Sequence, residues 1–208
     1  MFDVFRNSYD EFLSALLEHI EISFIAIVTA IVLAIFVTIF LNFYKEFSHI
    51  TIYLFSLMYA IPSFALFALL IPITGLGQTT AIIVLVIYAQ YILVRTFLSG
   101  LSQVDKHVIE AAKAMGMTKW QILLKVQFPL AQKSFFAGLR LASSAIIAIA
   151  TIGATINAGG LGVILFDGLR TMNLPKLLWG IILTVGLSLL TNLIIYLVEE
   201  LFQKEYSV

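Results

Sequence analysis

Apolar residues fall into long runs separated by short polar or glycine-rich breaks, and the run lengths set the first expectation. Ile22 to Leu41 is uncharged and, at ~1.5 Å rise per residue, covers the ~30 Å hydrocarbon core of a bilayer. Lys45, Glu46 and His49 make a polar turn, after which Ile50 to Ile71 is a second run with Pro62 at its middle. A proline there has no N–H to donate, which predicts a kinked span. The uncharged connection around Gly75 and Gly77 leads to a third run from Thr79, which reaches residue 100 if Arg95 snorkels to the interface. A fourth covers about 133–156 and is dense in small residues, among them Ala137, Gly138, Ala142, Ser143 and Gly153. That density predicts close helix contact and places this span at the centre of the bundle. Asn157 to Gly162 cannot continue a helix and reads as a glycine hinge. Val163 to Arg170 then dips back toward the bundle before Pro175, and Leu177 to Val198 is the fifth run. The expected fold is an all-α, polytopic membrane protein. It is one domain over 1–208 with spans at about 22–41, 50–71, 79–100, 133–156 and 177–198, and a polar tail from Glu199.

The longest stretch unsuited to lipid is Ser102 to Pro129, which reads as two short helices. The first starts at a cap in Ser102 or Asp105 and ends at Gly116, a residue able to take the left-handed conformation that closes a helix. Thr118 with Gln121 three residues later is a capping box, and Lys119 to Gln127 runs as a second helix until Pro129 stops it. On the first helix Val108, Ala112 and Met115 share one face, and Lys106, Glu110 and Lys113 point elsewhere. On charge alone the stretch could equally be a solvated basic loop between spans.

Composition agrees with the pattern: 208 residues, 61% hydrophobic, 12% charged and a mean hydropathy of +1.05. Net charge is zero, which gives no reason to expect nucleic acid as a partner. Cysteine is absent, so disulfides and thiolate chemistry are excluded. Residues 1–21 carry Asp3, Asp10, Glu11, Glu18 and Glu21 against Arg6, unlike a basic signal-peptide start. Phe2, Phe5, Tyr9, Phe12, Leu13 and Leu16 recur at helical spacing, which suggests an amphipathic lead-in along the interface. Arg95, Lys106, Lys113, Lys119, Lys125 and Lys133 cluster around the 102–129 stretch, whereas the 157–175 connection has only Arg170. The positive-inside bias then puts 102–129 and the C-terminus in the cytoplasm and the N-terminus outside. His19, His49 and His107 lack metal-ligand spacing, and no HExxH, GxSxG or pair of carboxylates lies within the spans. No catalytic residue or metal site is expected.

Glu110-Ala111-Ala112, then Gly116, then Val126-Gln127-Phe128-Pro129 resembles the EAA signature of ABC-importer permeases, with Phe128 where leucine is usual. The alanines permit close approach to another surface, the glycine a sharp bend, and the carboxylate a charge-assisted anchor. The resemblance implies that 102–129 is a coupling helix seated on a cytoplasmic ATPase. Glu110, Ala111, Ala112, Gly116, Thr118 and Pro129 would be the coupling residues.

Pro62-Ser63, Gly75-Leu76-Gly77, Ala137-Gly138-Leu139-Arg140 and Ala158-Gly159-Gly160-Leu161-Gly162 extend the likeness over about residues 20–200. These blocks look like the permeases that import glycine betaine, choline, carnitine and related osmoprotectants. Asn157 stands where that branch usually has glycine, and Asp167 where a basic residue is common. The resemblance implies the type I importer fold, a second identical or homologous permease subunit, two ATPase subunits and an extracytoplasmic binding protein. ATP would be held by the ATPases, with no cofactor in this chain. Pro62, Asn157, Gly159, Gly160 and Gly162 become candidate gate or hinge residues. Tyr53, Tyr59, Tyr88 and Tyr91 are candidate pathway lining for a quaternary ammonium, which aromatic faces attract. The alternatives are an importer of amino acids or another small zwitterion on the same fold, and a membrane scaffold with no pathway.

Overall fold

The computed structural model describes Arg6 and residues 8–205; Phe2, Phe5 and the last three residues lie outside the described residues. The chain runs through α1 (Tyr9–Phe43), a 3-10 turn (Lys45–Phe47), α2 (Ser48–Ala60), α3 (Ser63–Thr74), α4 (Gln78–Ser102) and α5 (Lys106–Ala114). It continues through α6 (Lys119–Ile122), a π-helical stretch (Leu123–Gln127), α7 (Phe128–Ala150), a 3-10 segment (Thr151–Ile156), α8 (Leu161–Arg170) and α9 (Leu174–Glu205). Among the described residues four helical segments are long and apolar enough to cross a membrane, or five if α2 and α3 together form one span.

The second apolar run does more than kink. α2 and α3 are bent by 97° at Ile61–Pro62, so neither half, at about 20 Å, crosses a bilayer alone. Pro62 accounts for this in two ways: it drives the residue before it out of the helical region, and Ile61 is extended at ψ 130; it also donates no hydrogen bond. Pro129 behaves in the opposite way and does not stop its helix, because Lys119–Ile156 is one continuous rod. It falls in the first turn of α7, directly after the π-helical stretch. Where the hydrogen-bond register changes from wide to normal turns a backbone donor is lost anyway, as at a helix start, and proline fits there.

The lead-in is not a separate interfacial helix from Tyr9 onward, since it is the first turns of α1. Phe12 and Ala15 are buried with Leu161 and Ile164 of α8, against Trp179 and Leu183 of α9. The polar tail is likewise helical to Glu205, and Glu199 is buried in an ion pair with Arg140 of α7.

The central helix is α4 rather than the small-residue fourth span. Along α4 the residues Ala81, Val84, Leu85, Ala89, Leu93, Val94, Phe97 and Leu101 are all buried, with α1 and α7 as its main neighbours. The small residues of α7 serve contact with α4 instead. A Cβ on Gly138 would lie 2.1 Å from Thr96 Oγ1, and one on Gly100 of α4 would lie 2.5 Å from Ser134 Cβ. Two successive turns of each helix therefore interlock. On the other side, α1 turns Ala26, Ala30 and Ala34 inward, and the buried Gln90 of α4 donates to Ala30 O at 3.1 Å. Adding one methyl at Gly138 forces Thr96 and the α4 backbone to move, at a cost of about 1–3 kcal/mol. Gly138→Ala should therefore lower the melting temperature in detergent, whereas Gly186→Ala, with nothing within 4 Å of its Cβ position, should not.

Candidate functional site

The 102–129 connection is ordered by its own capping bonds. Asp105 accepts from the N–H of His107 at 2.8 Å and starts α5. At the other end Gly116 takes φ 79, its N–H reaching Lys113 O at 2.9 Å and that of Met117 reaching Ala112 O at 3.1 Å. This pair of bonds is the Schellman closure that a left-handed glycine permits. The Thr118 box is formed as expected, with Thr118 N–H donating to Gln121 Oε1 at 2.7 Å and Gln121 N–H to Thr118 Oγ1 at 3.3 Å. The connection is anchored to the bundle by the Phe43–Trp120 ring contact, with centroids 4.8 Å apart, and by Asn42 donating to Gln127 Oε1 at 3.4 Å.

Of the face shared by Val108, Ala112 and Met115, only Ala112 is buried; Val108 and Met115 point outward, Met115 with 75% of its surface exposed. Glu110 is 71% exposed and has only His107 nearby, at 3.9 Å. Ala111, Gly116 and Thr118 are exposed beside it. Glu110, Ala111, Met115, Gly116 and Thr118 thus form one outward surface, whereas Ala112, expected beside them, faces inward, and Pro129 lies in the first turn of α7.

The glycine turns lie at the other end of α4. Gly77 N–H donates to Ile156 O at 2.8 Å, joining the two connections there. Asn157 takes φ 62 and closes the 3-10 segment. Asparagine tolerates that left-handed conformation better than other non-glycine residues, so it can stand where glycine is usual. Gly160 also has positive φ, and a Cβ on it would lie 2.8 Å from His19 Nδ1.

The turn at Gly160 depends on two residues that sequence reasoning did not select, Glu18 and His19. Gly160 N–H donates to Glu18 Oε2 at 2.9 Å, and Leu161 N–H donates to His19 Nδ1 at 3.2 Å. His19 Nε2 lies 3.1 Å from Ile147 O, which can only accept, so the ring is the Nε2–H tautomer and bridges α1, α7 and α8. One signal was available. His19 falls in register with Phe12, Ala15 and Ile22 on the buried face of α1.

Asp167, the other departure from the family pattern, is paired: Lys176 Nζ lies 2.6 Å from its Oδ2 and Arg170 Nη2 lies 2.9 Å from its Oδ1. Hydrogen bonds from Lys176 and then Arg170 hold its carboxyl below the usual range. Lys176 also reaches Glu11 Oε1 at 2.6 Å and so ties α9 to α1. A concavity of about 590 Å³ opens here, lined by Ala154, Thr155, Asn157, Val163, Asp167 and Arg170.

Three of the four tyrosines meet at the Pro62 break. Tyr59 lies 5.6 Å from Tyr88 and 5.0 Å from Tyr91, centroid to centroid, and the Tyr88 hydroxyl donates to Ile61 O, the carbonyl at the broken turn. Tyr53 stands apart on α2, 62% exposed.

A broken second span, an ordered amphipathic connection at one end and glycine turns at the other define a membrane transport subunit. Residues 26–208 match the family described as binding-protein-dependent transport system inner membrane component, and the chain belongs to it. It is a permease component of a transporter rather than a catalyst, with the type I ABC importer permease fold. It is similar to the carnitine transport permease protein OpuCB of Listeria monocytogenes, 33% identical over 188 residues that cover 90% of this chain and 86% of the relative. It is also similar to the glycine betaine/carnitine/choline transport system permease protein OpuCB of Bacillus subtilis strain 168, 29% identical over 96% of this chain and 92% of that one. Inward-facing structures of the MetNI methionine ABC transporter share the fold, with a TM-score of 0.83 at 21% identity over 94% of this chain and 98% of theirs.

His19→Ala should loosen the glycine turn, because it leaves the buried Leu161 N–H without its partner at about 1–3 kcal/mol. Hydrogen exchange at Leu161 should rise and the melting temperature fall. His19→Gln, which keeps a donor and an acceptor, should recover part of both.

Proposed function

We propose that this chain is one of the two membrane subunits of an ABC importer that moves a quaternary-ammonium osmoprotectant, such as glycine betaine, choline or carnitine, into the cell. The observation that carries this is the 102–129 connection, a pre-ordered surface with outward-facing Glu110 and Met115 at the end of the bundle opposite the glycine turns. The lysines around it favour the cytoplasm for that end, with the N-terminus outside and the C-terminus inside. Glu110, Ala111, Gly116 and Thr118 contact a cytoplasmic ATPase there, while the buried Ala112 seats the helix against the bundle, and the ATPase holds the ATP. The turn at Asn157, Gly159, Gly160 and Gly162, with the concavity beside it, receives a substrate-binding protein on the outer face.

Relatives whose names pair two permeases, OpuCB and OpuCD, favour a second permease subunit beside this one. Closure of the ATPase pair draws the two connections together, and the helices that carry them swing the glycine turns apart, a rigid-body alternation about the bundle. The tyrosines at the Pro62 break support a quaternary ammonium, since ring faces attract such a cation without a carboxylate.

A second reading is a permease for another small zwitterion. It draws on the ergothioneine transport permease/ergothioneine binding protein EgtU of Helicobacter pylori strain G27, 41% identical over 135 residues, which are 65% of this chain and 24% of that protein.

In proteoliposomes with its ATPase and binding protein, the transporter should hydrolyse ATP faster on addition of glycine betaine, choline or carnitine. Stimulation by ergothioneine or an amino acid alone would favour the second reading. Glu110→Lys removes a charge-assisted contact and should weaken ATPase association by about 2–5 kcal/mol. Gly116→Val should do so without any change of charge, because a β-branched residue resists φ 79. Both variants should still insert, and wild-type transport in both would remove the coupling role from residues 102–129.

A further inference from the structure

Arg95 lies seven residues before the end of α4 at Ser102, about 10 Å inside the helix end. The expected snorkelling toward that end does not occur. Its guanidinium turns the other way, one helical turn deeper, with Cζ 5.5 Å from the Tyr91 ring centroid and Nη1 donating to the Tyr91 hydroxyl. Among the described residues no carboxylate lies within ion-pair distance of Arg95, while Arg140, midway along α7, and Lys176, in the first turn of α9, are both paired. An exposed guanidinium at that depth cannot face hydrocarbon without a large desolvation penalty, so this face of α4 is turned to water or to a second subunit.

The same face carries the tyrosine cluster. Tyr88 has committed its hydroxyl to Ile61 O and is buried, so its ring is fixed, whereas Tyr59 is 40% exposed and Tyr91 half-buried. The open elements are therefore the exposed ring of Tyr59 and, beside it, a guanidinium of which one nitrogen is engaged by Tyr91; Tyr91, in contact with both, holds them side by side. Ring faces attract a quaternary ammonium, and a guanidinium offers a fork of N–H groups that matches a carboxylate.

Building on the substrate class proposed above, we infer that Arg95 with Tyr59 and Tyr91 forms a two-point pathway site for trimethylammonium carboxylates. The carboxylate binds the Arg95 guanidinium and the ammonium lies on the Tyr59 ring, with Tyr91 holding the two points at a fixed separation. Glycine betaine and carnitine meet both points; choline, which has a hydroxyl in place of the carboxylate, meets only the aromatic one. Arg95 is thus a specificity-determining residue that favours betaines over choline at the membrane, in addition to any selection by the binding protein.

The test is uptake of radiolabelled glycine betaine, carnitine and choline, each at saturating concentration, by proteoliposomes of the complete transporter. Arg95→Gln should lower the ratio of glycine betaine to choline uptake at least tenfold, with carnitine following glycine betaine. Arg95→Lys, which keeps the charge but loses the planar fork, should restore only part of it. Tyr59→Leu should reduce all three together and leave the ratio unchanged. An unchanged ratio in Arg95→Gln, an equal loss of all three substrates, or no recovery in Arg95→Lys overturns the proposal. Failure of the substrate class is seen separately and earlier, as a wild-type transporter that takes up none of the three, and it overturns the site as well.

Discussion

The close approach of α4 to α1 and α7 is the contact on which the other features depend. In hydrocarbon there is no water-driven force between helices, so association relies on packing at short range and on polar groups that find partners inside the protein. Here Gly100 and Gly138 interlock with Ser134 and Thr96, and an alanine face on α1 lies along the opposite side of α4. Gln90 adds a hydrogen bond across that interface. The three helices form a unit that resists internal sliding, because each alternative register would drive a Cβ into a neighbour. The sharp bend at Ile61–Pro62 stands against this unit and gives its carbonyl to the Tyr88 hydroxyl of α4.

That unit links two chemically different ends. α4 and the Lys119–Ile156 rod both run from the polar connection to the glycine turns. At the polar end Asn42 and Phe43 of α1 hold Gln127 and Trp120; at the glycine end Glu18 and His19 of the same helix hold the backbone of Gly160 and Leu161. A push at the first end would reach the second through packed helices with bonds at both extremities, as the proposed coupling role requires. The ion pairs of Lys176 with Asp167 and Glu11 add α9 to the same body.

Much of this was legible in the sequence, and the remainder follows a physical division. Local signals carried over well: the Asp105 cap, the Gly116 closure and the Thr118–Gln121 box depend on residues at most five apart, so spacing alone specifies them. Proline was harder to read, because its effect depends on what surrounds it. Pro62 breaks its helix by 97°, while Pro129, beside a π-helical turn, is absorbed. Long-range pairings could not be seen at all. Glu18 and His19 meet residues more than 120 positions away, and Arg140 meets Glu199, which had read as part of a tail. The centre of the bundle was misplaced for a related reason: small residues mark where a helix is approached closely, not whether it is surrounded, and α7, although it meets α1, α4 and α9, is less buried than α4, which is packed along its length.

Pulsed electron paramagnetic resonance tests the coupling of the two ends most directly, and this chain contributes no native cysteine to the labelling. Spin labels would be placed at Met117→Cys, or at Val163→Cys, together with the corresponding position of the second permease subunit in the assembled transporter. Nucleotide binding should shorten the Met117 distance and lengthen the Val163 distance in the same sample conditions, as rigid helices pivoting between two ends require. Movement at Met117 with no change at Val163, or both distances changing in the same direction, would contradict a bundle that transmits motion as one body.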